Sequence, residues 1–138
     1  MKRRSDASSE LREPLVFFLD RSLGKKKVAQ ALRQAGAVVE VHADHFPADA
    51  RDEDWLRVVG SRGWIVLTKD ERIRYRPNER RALLRSGVRA FILTARNLTG
   101  EAMGAVFVKS LSRMRRLVQR RRGALIAAVT RAGVRLVT

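Results

Sequence analysis

Acidic residues fall at positions along this chain where their side chains could be brought together. Asp20 ends one apolar run, Asp70 follows another by two residues, and the cluster Asp52–Asp54 opens a stretch of helical character. Carboxylates placed close together repel one another and raise one another's pKa, so a cluster of them needs a nearby cation. Mg²⁺ and Mn²⁺ prefer oxygen ligands and can support cleavage of a phosphodiester bond. A shared metal site is therefore one interpretation of these acids.

The same acids also have structural interpretations, which the sequence leaves open. Asp20 could cap the helix that follows its strand, and Asp52 is a good N-cap residue for the helix that it opens. Asp70 could close a turn with Lys69. Asp44 is a lesser candidate for the metal site.

The elements that would position these acids alternate along the chain, because short apolar runs predict strands and helical spacing predicts helices. The predicted strands are Leu15–Asp20, Ala37–His42, Trp64–Thr68 and Val88–Thr94, and the predicted helices are Leu23–Gly36, Asp52–Ser61, Asn78–Ser86 and Thr99–Arg122. A C-terminal hairpin of Ala124–Thr130 and Val134–Val137 follows. This order is typical of an α/β sandwich with a largely parallel sheet.

Parallel sheets bind ligands at the carboxyl ends of their strands. If the first and third strands are neighbours, Asp20 and Asp70 project into one crevice. We expect residues 15–138 to form one domain, preceded by a polar, mobile tail over Met1–Pro14.

The charge balance indicates a polyanionic partner. Thirty Lys and Arg residues face 14 Asp and Glu residues, which gives a formal net charge of +16, and no acidic residue follows Glu101. An excess of this size favours binding to nucleic acid. The candidate substrate-binding residues lie around Asp70. They are Lys69 and, in the stretch RIRYR that is predicted to be an RNA-guiding loop, Arg72, Arg74 and Arg76.

Other site classes are excluded or disfavoured by composition and spacing. The chain has no cysteine, which excludes thiolate zinc sites and disulfides and fits a reducing cytoplasm. His42, Asp44 and His45 could ligate zinc, but their position at the end of a strand is more typical of a polar rim. The apolar runs are too short to span a membrane, and the N-terminal stretch has no secretory h-region, so we expect a cytoplasmic protein.

Several stretches together resemble the signature of PIN-like domains, in particular the compact branch near the VapC-type toxins of toxin–antitoxin modules. They are FFLDRSLG (Phe17–Gly24), DEDWL (Asp52–Leu56), WIVLTKDERI (Trp64–Ile73), RPNE (Arg76–Glu79) and FILTARNLTG (Phe91–Gly100). The resemblance implies a three-layer sandwich and Mg²⁺- or Mn²⁺-dependent cleavage of RNA by three or four acids. It also implies an antitoxin protein as a partner and allows a homodimer.

The family's acids can be matched to this sequence residue by residue. The resemblance assigns the catalytic and metal-binding roles to Asp20, Asp52 and Asp70, with Asp54 as the nearest competitor of Asp52. The family's usual glutamate, between the second strand and the helix-start acid, has no clear match. Glu53 or Asp44 could substitute for it.

Three other functions remain open from the sequence. One is a basic RNA-binding domain without catalysis, which would show no effect of metal. Another is a receiver-like signalling domain, which the strong positive charge disfavours. The third is a DNA-repair nuclease with the same acidic site.

Overall fold

The computed structural model describes residues 15–138, so the predicted tail over Met1–Pro14 lies outside the described residues. A six-stranded sheet has the order β2-β1-β3-β4-β5-β6. Its strands are β1 (Val16–Leu19), β2 (Val38–Val41), β3 (Ile65–Thr68), β4 (Arg89–Leu93), β5 (Leu125–Thr130) and β6 (Gly133–Leu136). Strands β1 to β5 are parallel, and β6 pairs antiparallel with β5. The predicted parallel sheet with a terminal hairpin is therefore confirmed.

Five helices and two short 3₁₀ turns connect the strands. The helices are α1 (Lys27–Gln34), α2 (Asp52–Ser61), α3 (Arg72–Tyr75), α4 (Pro77–Arg85) and α5 (Gly100–Arg120), and the turns are Arg21–Leu23 and His42–Asp44. In the part of the chain that the structure describes, no helix is long and apolar enough to cross a membrane.

Successive side chains of each strand point to opposite faces of the sheet, so the apolar strands expose apolar side chains on both faces. Helices cover each of these faces. Phe17 and Leu19 pack in the same core as α1 and α5. Phe18, between them, packs in the other core with residues of α2 and α4. The fold is the three-layer sandwich that the sequence predicts.

Two predicted segments differ in detail from the observed ones. The single helix expected over Leu23–Gly36 is divided into a 3₁₀ turn and α1, since Gly24 takes a positive φ of 71° directly after the turn. The basic stretch after Asp70 was expected to be a loop, but it forms the one-turn helix α3, anchored by the buried Ile73.

Strand β1 lies between β2 and β3 in the sheet. The chain therefore continues from β1 to one side of it to form β2 and then crosses to the other side to form β3. The strand order reverses at this point, and sheets of this kind bind ligands in the crevice beyond the carboxyl ends of such strands. Asp20 directly follows β1, and Asp70 lies two residues beyond the end of β3. The fold therefore brings the ends of both segments to the same edge of the sheet.

Candidate active site

Asp20 is a buried carboxylate at the carboxyl end of β1, with 6% of its surface exposed. Its Oδ1 accepts hydrogen bonds from the backbone N–H of Ser22, at 3.0 Å, and from the Ser22 hydroxyl. Its Oδ2 accepts a bond of 2.6 Å from the hydroxyl of Thr68, the last residue of β3. Both oxygens are thus held by groups from two neighbouring segments. The bond to the Ser22 amide also makes Asp20 the cap of the first 3₁₀ turn.

Two hydroxyl groups connect Asp20 to Asp70. The Thr68 hydroxyl oxygen accepts a bond of 2.9 Å from the backbone N–H of Asp70. The Ser22 hydroxyl oxygen accepts a bond of 3.1 Å from the backbone N–H of Lys69 and lies 3.2 Å from the Thr68 hydroxyl. The segment that carries Asp70 is therefore fixed relative to Asp20 by side chains as well as by the sheet.

Burial raises the pKa of Asp20 to about 6, since its ionised form has lost most of its water. The hydrogen bonds from Ser22 and Thr68 oppose this rise, and the negative charge of Asp70 adds to it. Among residues 15–138, no basic side chain forms an ion pair with Asp20. A metal ion or another positive group beside Asp20 would restore its ordinary ionisation.

Asp70 is half-buried and already has a cationic partner. Its Oδ1 accepts bonds from the backbone N–H of Arg72 at 3.0 Å and from the Arg72 Nε at 2.9 Å, and its Oδ2 accepts from the Arg72 Nη2 at 2.8 Å. These bonds from Arg72 hold the pKa of Asp70 below its usual range. Asp70 is consequently ionised at neutral pH, with a guanidinium across its two oxygens.

Asp52 is directed toward Arg21 and Trp55. Its Oδ1 accepts from the Arg21 Nη2 at 2.8 Å and from the Trp55 Nε1 at 2.9 Å. The prediction that Asp52 is the N-cap of α2 is wrong, because Arg51 occupies that position and Asp52 is the first helical residue. The guanidinium of Arg21 also donates to the carbonyl oxygens of Ala48 and Ala50, so it ties the loop before α2 to the end of β1.

The reserve acids take different positions. Glu53 pairs with Arg51 at 2.7 Å, and Asp54 lies 3.6 Å from Arg57. Asp44 is exposed on the second 3₁₀ turn. Among residues 15–138, no three His, Asp or Glu side chains form a group that could hold a metal ion. The structure thus couples Asp20 to Asp70, while the inclusion of Asp52 stays a prediction.

The predicted substrate-binding residues surround Asp70 but do not all point to one ligand. Lys69 and Arg76 are exposed, and Arg76 lies 3.8 Å from Glu79. Arg74 stacks on Tyr75, with 5.0 Å between the guanidinium carbon and the ring centre. Arg72 is 62% exposed at its side chain although it binds Asp70. These groups give the edge beyond β3 a positive rim.

Sequence reasoning missed Ser22 and Arg21 as parts of this site. A serine two residues after a strand-end aspartate is a recognisable turn signal, since such side chains bond nearby backbone groups. The contact of Arg21 with Asp52 has no such local signal, because it depends on where α2 begins in space.

Comparison with known proteins gives two matches. A family model described as "PIN like domain" matches residues 15–95. A protein of Mycobacterium tuberculosis named "Putative ribonuclease VapC45" is 33% identical over 104 residues, which cover 72% of this chain and 75% of that protein. No solved structure matches the chain significantly.

Proposed function

The chain belongs to the PIN-like domain family, and we propose that it is a metal-dependent endoribonuclease that hydrolyses RNA phosphodiester bonds. The observation that supports this most is the coupling of Asp20 and Asp70 through the Thr68 hydroxyl at the carboxyl edge of the sheet. The net charge of +16 fits a polyanionic substrate.

The donor chemistry of this edge fits Mg²⁺ or Mn²⁺. Both cations prefer carboxylate oxygens, and Mg²⁺ is often held by one or two carboxylates together with water and substrate phosphates. Asp20 and Asp70 would hold the metal, and Asp52 would join them if Arg21 released it. Bound there, the metal would supply an activated water and neutralise charge on the phosphate.

The chain's own residues have separate tasks in this proposal. Ser22 and Thr68 hold the Asp20 carboxylate in place, so that it need not reorganise when substrate arrives. The exposed guanidinium of Arg72 is placed to contact a phosphate oxygen beside Asp70. Lys69 and Arg76 would attract the RNA backbone toward the same edge.

The biological role that we propose is the toxin of a type II toxin–antitoxin module. This rests on the resemblance to VapC-type toxins and on the name of the matched relative, "Putative ribonuclease VapC45". A cognate antitoxin protein would then block the acidic edge, and the chain would act in the cytoplasm. A homodimer stays a prediction.

One observation favours a second candidate, a basic RNA-binding domain without catalysis. Asp52 and Asp70 are both paired with arginines, and no group of three potential metal ligands forms within residues 15–138. In that case the arginines would be permanent structural partners of the acids. The domain would bind RNA equally well with and without divalent cations.

Replacing Asp70 with asparagine tests the proposal. We expect Asp70→Asn to abolish Mn²⁺-dependent cleavage of a labelled RNA while the circular dichroism spectrum stays unchanged. Asp49→Asn is the matched control, because Asp49 is exposed in the loop before α2 and should tolerate the same chemical change. Equal cleavage by Asp70→Asn and the parent would contradict the assignment. RNA binding without any cleavage by the parent would favour the second candidate.

A further inference from the structure

Helices α2 and α4 contact each other on one face of the sheet and leave a groove of about 300 Å³ between them. Its lining contains three arginines and one acid: Glu53, Arg57, Asn78, Arg81, Ala82, Arg85 and Ser86. None of these residues belongs to the coupled pair Asp20 and Asp70. The groove is thus a separate feature of the molecule.

The groove runs from the acidic edge of the sheet toward the opposite edge. Both helices begin beyond the carboxyl ends of the strands, where Glu53 and Asn78 line the groove. At the other end the helices touch, since a Cβ on Gly60 would lie only 2.4 Å from the carbonyl oxygen of Ser86. The close approach at Gly60 closes the groove there. A chain that enters it therefore comes from the side of Asp52, the neighbour of Glu53.

The groove carries uncompensated positive charge. Arg81 and Arg85 lie one helical turn apart on α4, and neither has an acidic partner within residues 15–138. Arg57 faces them from α2, with only a long contact of 3.6 Å to the exposed Asp54. The acid in the lining, Glu53, is already neutralised by Arg51 at 2.7 Å. Within the described residues, Arg81 and Arg85 are therefore available to anionic groups, and Arg57 would join them by releasing its exposed contact with Asp54.

A second basic groove, between α5 and β6, shows what distinguishes the first. It also has three arginines, which are Arg113, Arg116 and Arg120. In addition it exposes the aliphatic side chains of Leu117, Val134 and Leu136. Leu136 is 45% exposed there, a surface that suits contact with a protein. The α2–α4 groove instead begins beside the acidic edge of the sheet, where Glu53 and Asn78 line it. Its three guanidinium groups suit the bidentate recognition of phosphate groups next to that edge.

We propose that the α2–α4 groove binds the sugar–phosphate backbone of single-stranded RNA that extends from the acidic edge. This inference rests on the proposed ribonuclease function. Arg57, Arg81 and Arg85 bind phosphates that are not cleaved, and Asn78 contacts the strand where it leaves the edge. A duplex does not enter a groove of this size, so the site selects single strands.

The test is RNA binding without chemistry, in EDTA. The probe is an end-labelled single-stranded RNA of roughly a dozen nucleotides, measured by fluorescence anisotropy over a range of salt concentrations. The variant Arg81→Gln/Arg85→Gln is compared with Arg113→Gln/Arg116→Gln, which removes the same charge from the other basic groove. Thermal melts check that both variants are folded.

We expect the Arg81→Gln/Arg85→Gln variant to bind the RNA about tenfold more weakly, with a salt slope lower by about 1.4, which corresponds to two lost phosphate contacts. The matched control should lose less than about twofold. Equal losses in the two variants would overturn the proposal, because binding would then follow net charge alone.

A separate readout distinguishes failure of this inference from failure of the ribonuclease. If Arg81→Gln/Arg85→Gln keeps parental RNA affinity while the parent cleaves RNA with Mn²⁺, the α2–α4 groove does not bind the RNA backbone. The assignment as a ribonuclease then stands. If the parent cleaves no RNA, the proposed function fails first. Loss of poly(L-glutamate) binding in this variant, with unchanged RNA binding, would overturn the proposal in favour of an acidic protein partner.

Discussion

The hydroxyl of Thr68 donates a hydrogen bond of 2.6 Å to the Oδ2 of Asp20, and the two residues lie at the ends of neighbouring parallel strands. The same hydroxyl oxygen accepts the backbone N–H of Asp70 at 2.9 Å. One buried side chain thus connects the two acids that we propose as metal ligands. Since Thr68 is fully buried and Asp20 nearly so, water does not replace this bond when it is lost.

Thr68→Val keeps the shape of the side chain and removes the hydroxyl. We expect it to lower the rate of RNA cleavage about 10- to 100-fold, as the loss of a group that orients a metal ligand does. The free energy of unfolding should fall by about 1–3 kcal/mol, because Asp20 loses a buried partner. Thr68→Ser should restore most of the rate.

The control for this prediction is Thr130→Val, since Thr130 ends β5, two strands away from β3, and its hydroxyl contacts only the turn between β5 and β6. It should leave cleavage nearly unchanged. Parental cleavage rates in Thr68→Val would show that the hydroxyl does not position the acids.

Asp20→Asn should increase stability at neutral and alkaline pH while it abolishes cleavage. The pKa of Asp20 is about 6 in the folded chain and 3.8 when unperturbed, so ionisation of Asp20 progressively destabilises the fold as the pH rises through about 6. The difference between these two pKa values corresponds to roughly 3 kcal/mol at most, since a tenfold change in an equilibrium constant is about 1.4 kcal/mol.

The measurement is denaturant unfolding of parent and Asp20→Asn without divalent cations. The gain should be full at a pH of about 8 and absent below a pH of about 4, where the parent carboxyl is protonated in both states. Added Mn²⁺ should stabilise the parent and not the variant. A variant that is less stable than the parent at high pH would contradict the burial argument.

The local sequence predicts the acidic edge because strand ends are local features. The apolar runs that precede Asp20 and Asp70 form β1 and β3 in the structure. Parallel pairing of these two strands brings their carboxyl ends together. Thr68 belongs to the motif that predicts the site, but its bond to Asp20 becomes visible only when β1 and β3 are neighbours. The meeting of Asp20 and Asp70 at one edge of the sheet was therefore predictable, and the hydrogen bonds that connect them were not.

Long-range charge pairing could not be predicted. Arg21 meets Asp52 only because the loop before α2 returns to the end of β1.

The helical periodicity of α5 predicts an apolar stripe, but it does not say which face of the sheet that stripe covers. In the structure, α5 packs beside α1, where a Cβ on Gly104 would lie 2.8 Å from the Cβ of Ala31. Such contacts depend on the complete tertiary arrangement.

We expect His42 to make the fold sensitive to acid. Both ring nitrogens lack a hydrogen-bond partner within the described chain, and the ring packs among Phe18, Phe46 and Trp55. Burial lowers its pKa, the charge of Arg21 lowers it further, and Asp52 opposes them. The unfolded chain therefore binds this proton more readily, and stability is lost as the pH falls below about 6.5.

His42→Phe removes the titrating group and keeps an aromatic ring. We expect the variant to be within about 1 kcal/mol of the parent at a pH of about 8. At a pH of about 5 the melting temperature of His42→Phe should be clearly higher than that of the parent, because only the parent gains a buried charge. Parallel melting curves against pH for the two proteins would show that His42 is not responsible.

Arg72 occupies the oxygens of Asp70 that a metal ion would use, so we expect the two cations to compete. Replacing Arg72 with glutamine should tighten Mn²⁺ binding about two- to fivefold, since an exposed ion pair contributes at most about 1 kcal/mol. RNA binding in EDTA should weaken by a similar factor, because a phosphate contact is lost. Isothermal titration of Mn²⁺ and anisotropy of labelled RNA measure the two effects separately.

Arg74→Gln is the control, because Arg74 stacks on Tyr75 and makes no bond to Asp70. Weaker Mn²⁺ binding in Arg72→Gln would show that the guanidinium orders Asp70 for the metal and does not compete with it.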